Sequence, residues 1–455
     1  MLRIINILFL VFSLVLYLDV PENYSFNYCL LINLSFLAQN IIYFILSGRS
    51  LISFEFFFAF AFYFINFIYP VAYFPTNPNY EVFNYTFNYQ VINKATALAY
   101  VAYTCYFAGL TLFKRKDEEF KIDASMFTPA FSVNLLVVFL TLAISYIISV
   151  GNAFFNGYDW YTDEENYSPA VAFINMSAAL FAMFLFLNKN QKSKYIYLTI
   201  LLIFIALYLM SGSRNMPLGL LIILLVTFNE IEKKIPAIYF LGIILVGVVV
   251  FYFISTIRTD SVSGGLSLNV FISNLSDTSV FDFARDLIVN NRNLYTLVDF
   301  ADNTGHTYGL SMLSSILMLV PYAGTYVSES FGIPMDFMYV AGFNTYLEFG
   351  FGSSFGLGGN IVADVYLAFG FPGVIIAFTA LGLFLSHVIN KYKISVVYFI
   401  IYCILVGNSV FMNRENFLLP LRPILYSLLM FWILNTLLKN LKFNFLSNEN
   451  LTQNE

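Results

Sequence analysis

Arg214, Arg258 and Arg422 each sit at the edge of a long apolar block. Arg214 lies in the turn Ser211-Gly212-Ser213-Arg214-Asn215, Arg258 in Ile257-Arg258-Thr259-Asp260, and Arg422 between Pro420 and Pro423. A guanidinium offers a planar fork of donors that matches phosphate and pyrophosphate oxygens. In the first turn, Gly212 permits a sharp bend, and serine hydroxyls and free backbone amides add to an anion site. Prolines flanking Arg422 break regular helix, which is tolerated where a segment lines a cavity. The alternative is that these arginines pair with nearby carboxylates such as Asp260, Asp286 or Glu415.

Three groups are candidates to take a proton from a hydroxyl. His306, in Gly305-His306-Thr307-Tyr308-Gly309, reads as a base, a phosphate ligand or an ordinary loop histidine. Asp364 falls in the first turn of an apolar block that follows Gly356-Leu357-Gly358-Gly359-Asn360, where a helix N-terminus favours a carboxylate. Glu415 stands beside Arg414. The glycine run follows no strand, so it is not a dinucleotide fingerprint. No Walker motif, nucleophile elbow or metal-ligand spacing is present, and neither a metal nor a cofactor is expected. Cys29, Cys105 and Cys403 lie inside apolar blocks without disulfide or zinc spacing and read as packing residues.

The elements that must hold these side chains are transmembrane helices. The chain is 59% hydrophobic and 11% charged, against about a quarter charged in soluble domains. Its apolar residues come in blocks of about twenty, the length that crosses a hydrocarbon layer. Blocks start near Ile4, Tyr28, Leu51, Ala95, Ala130, Pro169, Tyr195, Met216, Ala237, Ile361, Ile394 and Phe417. The expected fold is therefore all-α and polytopic, with about twelve spans. No small-residue cleavage site follows the first block, so it reads as a retained span. A net charge of −5 gives no pull towards nucleic acid.

Lysines and arginines orient the spans. Both termini fall in the cytoplasm, because every inner loop then carries a basic residue, and fifteen of the twenty-two basic residues lie inside. Residue type splits as well: twelve Lys and three Arg inside, against Lys94 and six Arg (Arg214, Arg258, Arg285, Arg292, Arg414 and Arg422) outside. Inner lysines need only be charged beside anionic lipid. Arginines kept on the unfavoured side suggest a ligand that needs the fork.

The expected organisation is a nine-span bundle over 1–254, a long outer loop over 255–360, a three-span bundle over 361–445 and a polar tail over 446–455. A connection of that length is usually functional. It carries nine carboxylates against three arginines, so any phosphate site in it is local. Val280 to Ala301 reads as an amphipathic helix on the membrane surface, with Arg285 and Arg292 sharing its polar face; a polar face is needed there anyway, which makes them weaker ligands. Leu313 to Val320 is too short to span and reads as re-entrant or interfacial. A shorter outer loop, Gly151 to Ser168, sets Tyr158-Asp159-Trp160-Tyr161 beside acidic residues. That suits sugars, or else an aromatic belt with a solvated acidic loop.

Gly358-Gly359-Asn360-Ile361-Val362-Ala363-Asp364-Val365-Tyr366-Leu367-Ala368-Phe369-Gly370 resembles the end-of-loop motif of the Wzy-type polymerases of O-antigen and capsular repeat units, and Gly212-Ser213-Arg214 resembles a shorter motif of that family. This chain has Asp364 where Glu is frequent and Ala368 where Asn is frequent. The resemblance implies an enzyme of the bacterial inner membrane, a glycosyltransferase acting at the periplasmic face. Its donor and acceptor would be oligosaccharide repeat units on undecaprenyl pyrophosphate. It also implies a chain-length regulator as protein partner, Tyr366 among the substrate-binding residues, and outer arginines that stabilise the departing pyrophosphate without metal. An O-antigen ligase would use the same donor. A flippase or secondary transporter is the non-enzymatic alternative, though transporters usually show inverted repeats and midplane charges.

Overall fold

A computed structural model describes residues 1–76, 87–113, 119–122, 129–150, 169–187, 194–210, 215–247, 285–288, 290–353 and 356–452. Every regular element among them is helical. The helices are α1 (Leu2–Leu18), α2 (Phe26–Ser47), α3 (Phe54–Asn66), α4 (Val91–Leu112), α5 (Pro129–Val150), α6 (Pro169–Phe184), α7 (Lys194–Met210), α8 (Asn215–Thr227) and α9 (Ala237–Gly247). They continue with α10 (Asn291–Thr304), α11 (Leu310–Leu317), α12 (Ala323–Phe331), α13 (Val340–Phe349), α14 (Ile361–Lys391), α15 (Val396–Asn408) and α16 (Leu421–Thr452). Helix is what lipid demands of an apolar chain, because it satisfies every backbone group within the segment. Five of the helical segments are long and apolar enough to cross a membrane: Phe26–Ser47, Phe54–Tyr73, Val91–Leu112, Asn215–Glu232 and Ile361–Lys391. Seven shorter apolar helices accompany them.

The chain forms two compact units. The first comprises Met1–Glu118, Ile235–Lys391 and Asn408–Leu421; the second Glu119–Lys234, Tyr392–Gly407 and Arg422–Glu455. In the first, α4 is the central post. Helix α1 runs against it in the opposite direction, with Asn6 Nδ2 donating to Thr111 Oγ1 and Ser13 sharing a hydrogen bond with Thr104. Helix α2 runs alongside it in the same direction, setting Cys29 against Asn93 and Tyr43 against Phe107. Helix α3 returns the other way, so that Phe67 meets Asn33 and Glu55 meets Tyr43. Helix α14 runs parallel to α4, and there the two backbones touch. A Cβ on Gly382 would lie 2.1 Å from the Tyr106 carbonyl, and one on Gly109 2.3 Å from that of Thr379.

These directions collect Tyr17, Lys94, Asp302 and Tyr366 at one end of the first unit, while the buried Arg49–Glu55 ion pair, 2.9 Å, closes the other. In the second unit Gly219 packs on Gly407, a Cβ there coming 3.1 Å from the Gly407 carbonyl. Lys194 and Lys393 pair with Glu232 and Glu230, at 2.8 and 3.5 Å. Cys29, Cys105 and Cys403 are free and buried.

In the segment expected to be one surface helix over Val280–Ala301, residues 280–284 and 289 lie outside the described residues, and the described part forms two helical segments, Arg285–Ile288 and α10. Arg285 and Arg292 therefore lie on separate helical segments. Helix α10 is not a surface element either. Its apolar stripe, including Leu294, Tyr295 and Val298, is buried, and so are the polar residues of its first half, Asn291, Arg292, Asn293 and Thr296, while Asp302, Asn303 and Thr304 at its end are exposed. The polar residues find partners inside: Asn291 donates to the Ile65 carbonyl and Thr296 to Glu348 Oε1, while the Arg292 guanidinium lies 5.2 Å from the Phe87 ring. Satisfied polar groups can be buried where unsatisfied ones cannot.

Candidate functional site

The glycine-rich run is threaded between α10, α13 and the 408–421 segment. Gly358 has φ +78°, the left-handed region, and a Cβ there would sit 3.0 Å from the Arg414 carbonyl. The Gly359 N–H donates to that same carbonyl at 2.8 Å, and a Cβ on Gly359 would strike Val340 Cγ1 at 2.5 Å. Two glycines are thus needed for the backbone to approach Arg414–Glu415 so closely. Asn293 and Asn344 both reach the Gly358 carbonyl, at 3.2 Å each. Asn360 caps α14, its Oδ1 accepting from the Val362 and Ala363 N–H groups, while its Nδ2 donates to Asn66 Oδ1 at 2.9 Å.

One turn further, Asp364 is wholly buried. Ser311 Oγ donates to its Oδ1 at 2.6 Å and the Phe417 N–H to its Oδ2 at 2.9 Å. Asp364 thereby ties the start of α11 and the 408–421 segment to α14. Within that segment Glu415 stands beside Arg414. Burial pushes the Glu415 carboxyl above the ordinary carboxylate range, and the Arg414 guanidinium opposes the shift. A base whose pKa is raised becomes available only at higher pH. If Glu415 is the base, activity will fall as pH drops through that raised value. Glu415→Gln will then lower the rate and remove that acid limb. A pH–rate profile checks this, and an unchanged acid limb in Glu415→Gln would sink it.

Tyr366, two residues beyond Asp364, points to the opposite side of α14. Its hydroxyl donates to Asp302 Oδ1 at 2.7 Å, and Lys94 Nζ donates to Asp302 Oδ2 at 2.7 Å. The Lys94 ammonium also lies 5.6 Å from the Tyr366 ring centroid. His306 meets that ring edge-on at 5.6 Å. Gly370, φ +66°, is what admits the imidazole, since a Cβ there would lie 2.8 Å from His306 Nε2. The Thr307 N–H fixes the loop by donating to the Leu367 carbonyl at 2.8 Å.

Of the residues singled out in the sequence, His306, Asp364, Tyr366, Glu415 and Arg292 belong to the first unit. Asp364 is joined to the Glu415 segment on one side of α14, and His306 meets Tyr366 on the other. Arg422 belongs to the second unit, its guanidinium 5.4 Å from the Tyr426 ring. Arg214, Arg258 and the loop Gly151 to Ser168 lie outside the described residues. The sequence reading missed Lys94, Asp302 and Ser311 as members of this arrangement. Lys94 carried a signal, as the one lysine among the outer arginines; the other two carried none. Among the described residues no group of three His, Cys, Asp or Glu side chains converges.

Apolar helices of this length and number, with a polar cluster around a glycine-rich helix start, define an integral membrane protein. The family model described as O-antigen polysaccharide polymerase Wzy matches residues 1–443, and the chain belongs to that family. It is accordingly a membrane polymerase of O-antigen polysaccharide synthesis. No curated protein and no solved structure matches it.

Proposed function

We propose that this chain joins undecaprenyl-pyrophosphate-linked oligosaccharide repeat units at the periplasmic face of the bacterial inner membrane. The family match over residues 1–443 carries this reading. The five long and seven shorter apolar helices among the described residues support about twelve spans, and the lysine-rich inner loops support cytoplasmic termini. In the reaction the bond between the donor's anomeric carbon and its pyrophosphate oxygen breaks. An acceptor hydroxyl oxygen forms the new glycosidic bond. The hydroxyl proton goes to a base, for which Glu415 and His306 are the candidates, and the lipid pyrophosphate leaves with the bonding pair. Asp364, holding two donors already, fits a role that positions the Glu415 segment. Arg214, Arg258 and Arg422 serve as pyrophosphate ligands, with Arg285 and Arg292 secondary. A charge-assisted bond that strengthens as the leaving group gains charge is worth about 1.5–3 kcal/mol, or roughly ten- to a hundredfold in rate.

The test is genetic. Cells lacking the gene will carry surface glycan of a single repeat unit instead of a ladder. The wild-type gene will restore the ladder, and genes carrying Arg214→Ala, Arg258→Ala or Arg422→Ala will restore it poorly at equal membrane abundance. Loss of even the single-unit glycan would point to a ligase or flippase. Normal ladders from all three arginine variants would remove them from the site.

A further inference from the structure

Lys94 and Asp302 form an ion pair about which the sequence motif says nothing. Their side chains are 33% and 30% exposed, and a pair so open to solvent contributes only about 0–1 kcal/mol to stability. The pair nevertheless sits at the meeting of four helices. Tyr366 donates to Asp302 from α14, and Tyr17 of α1 lies close to both. The Tyr17 ring stacks on Phe371 with centroids 4.3 Å apart and planes 3° apart. His306 stands beside the same floor, with its Nδ1 enclosed and without a hydrogen-bond partner among the described residues. Next to it Tyr308 is 87% exposed. Its backbone has φ +50°, which costs a non-glycine residue roughly 1–2 kcal/mol.

The chemistry of this cluster is specific. An ammonium beside a carboxylate supplies a donor and an acceptor a few ångströms apart, matching two neighbouring hydroxyls, one accepting and one donating. An exposed aromatic face suits the C–H side of a sugar ring. Because Asp302 neutralises Lys94, the pair lacks the net positive charge that a pyrophosphate would require. We infer that Lys94 and Asp302, floored by Tyr366 with His306 beside it, form a carbohydrate subsite that binds the acceptor sugar through adjacent hydroxyls, the exposed Tyr308 ring of the His306 loop offering the stacking face. This rests on the polymerase reading and gives it an acceptor subsite.

The experiment uses the full-length protein in nanodiscs with two substrates. One is the host's purified lipid-linked repeat unit as donor. The other is the methyl glycoside of the same repeat unit, which lacks pyrophosphate and serves only as acceptor. Lys94→Met and Asp302→Asn will each raise KM for the glycoside about tenfold or more while leaving KM for the donor, measured at saturating glycoside, within about twofold, as expected for losing a charge-assisted bond to one substrate. The swapped double variant Lys94→Asp/Asp302→Lys keeps an ion pair but inverts the Tyr366 contact, and its glycoside KM will stay high. Tyr308→Ala removes only an exposed ring, leaves thermal stability unchanged, and will also raise KM for the glycoside.

Wild-type glycoside KM in the single variants and in Tyr308→Ala overturns the subsite. So does full rescue by the swapped pair, which would make the pair a structural tie, and so does a rise confined to the donor KM. If the wild-type protein makes no polymer from the donor, the polymerase reading itself has failed, a result separable from all of these.

Discussion

Gly382→Leu will leave no folded protein in the membrane. The atoms a side chain would meet there are backbone: the Tyr106 carbonyl oxygen at 2.1 Å and the Leu110 nitrogen at 2.7 Å. No rotamer change relieves such a clash, so α14 and α4 would have to separate along their length. Small residues are what allow membrane helices to approach this closely, where dispersion and close packing replace the hydrophobic drive. α4 is also the post against which α1 and α2 pack, so the damage will not stay local. The cost will exceed about 4 kcal/mol, the range of severe core disruptions. Gly109→Leu will behave likewise, from the other side of the same contact. Gly242→Ala is the control, because nothing lies within 4 Å of a Cβ at that position. Thermal melting followed by size exclusion in detergent reads the effect. A wild-type melting profile for Gly382→Leu would mean that this helix pair is not packed as described.

Asp364→Ala will reduce chain formation by about a hundredfold or more, equivalent to about 2.7 kcal/mol of lost transition-state stabilisation. The substitution leaves the Ser311 hydroxyl and the Phe417 N–H without acceptors in a wholly buried position. Each orphaned group costs about 1–3 kcal/mol. It also unpins the segment that carries Arg414 and Glu415. Asp364→Asn separates the two roles the residue could have. A positioning carboxylate replaced by its neutral isostere keeps one accepting oxygen, and activity will return in part, with the Glu415-dependent acid limb of the pH profile intact. A proton-accepting Asp364 replaced by Asn loses its function as fully as with Ala. Equal inactivity of the two variants at equal membrane abundance would therefore make Asp364 the base and not the clamp.

Much of the site is legible in one short stretch. Gly358, Gly359, Asn360, Asp364, Tyr366 and Gly370 stand within one turn-and-helix segment, and each does something the structure names. The two glycines admit the Arg414 loop, Asn360 caps the helix, Asp364 ties the loop down, Tyr366 meets Asp302, and Gly370 makes room for His306. A motif is readable because its members share one local backbone. The partners of that motif come from afar: Lys94 meets Asp302 across 208 positions of sequence, and Ser311 meets Asp364 across 53. A single polar residue in an apolar block has no periodicity that points to its mate.

What the sequence by itself determined was the all-helical character, because blocks of apolar residues in lipid have helix as the way to satisfy their own backbone. It also marked the glycine-rich helix start and the candidate groups around it. Tertiary structure decided which of those groups meet. Val280–Ala301 shows the difference most clearly. Its amphipathic pattern reads as a helix floating at a surface, since apolar residues on one side and polar on the other are what an interface selects. Yet Arg292, Asn293 and Thr296 are buried with partners supplied by Phe87, the Leu357–Gly359 carbonyls and Glu348. Hydropathy measures what a residue prefers as a solvent. Whether the polar face meets water or polar groups of its own chain depends on helices distant in sequence, and only their packing settles it.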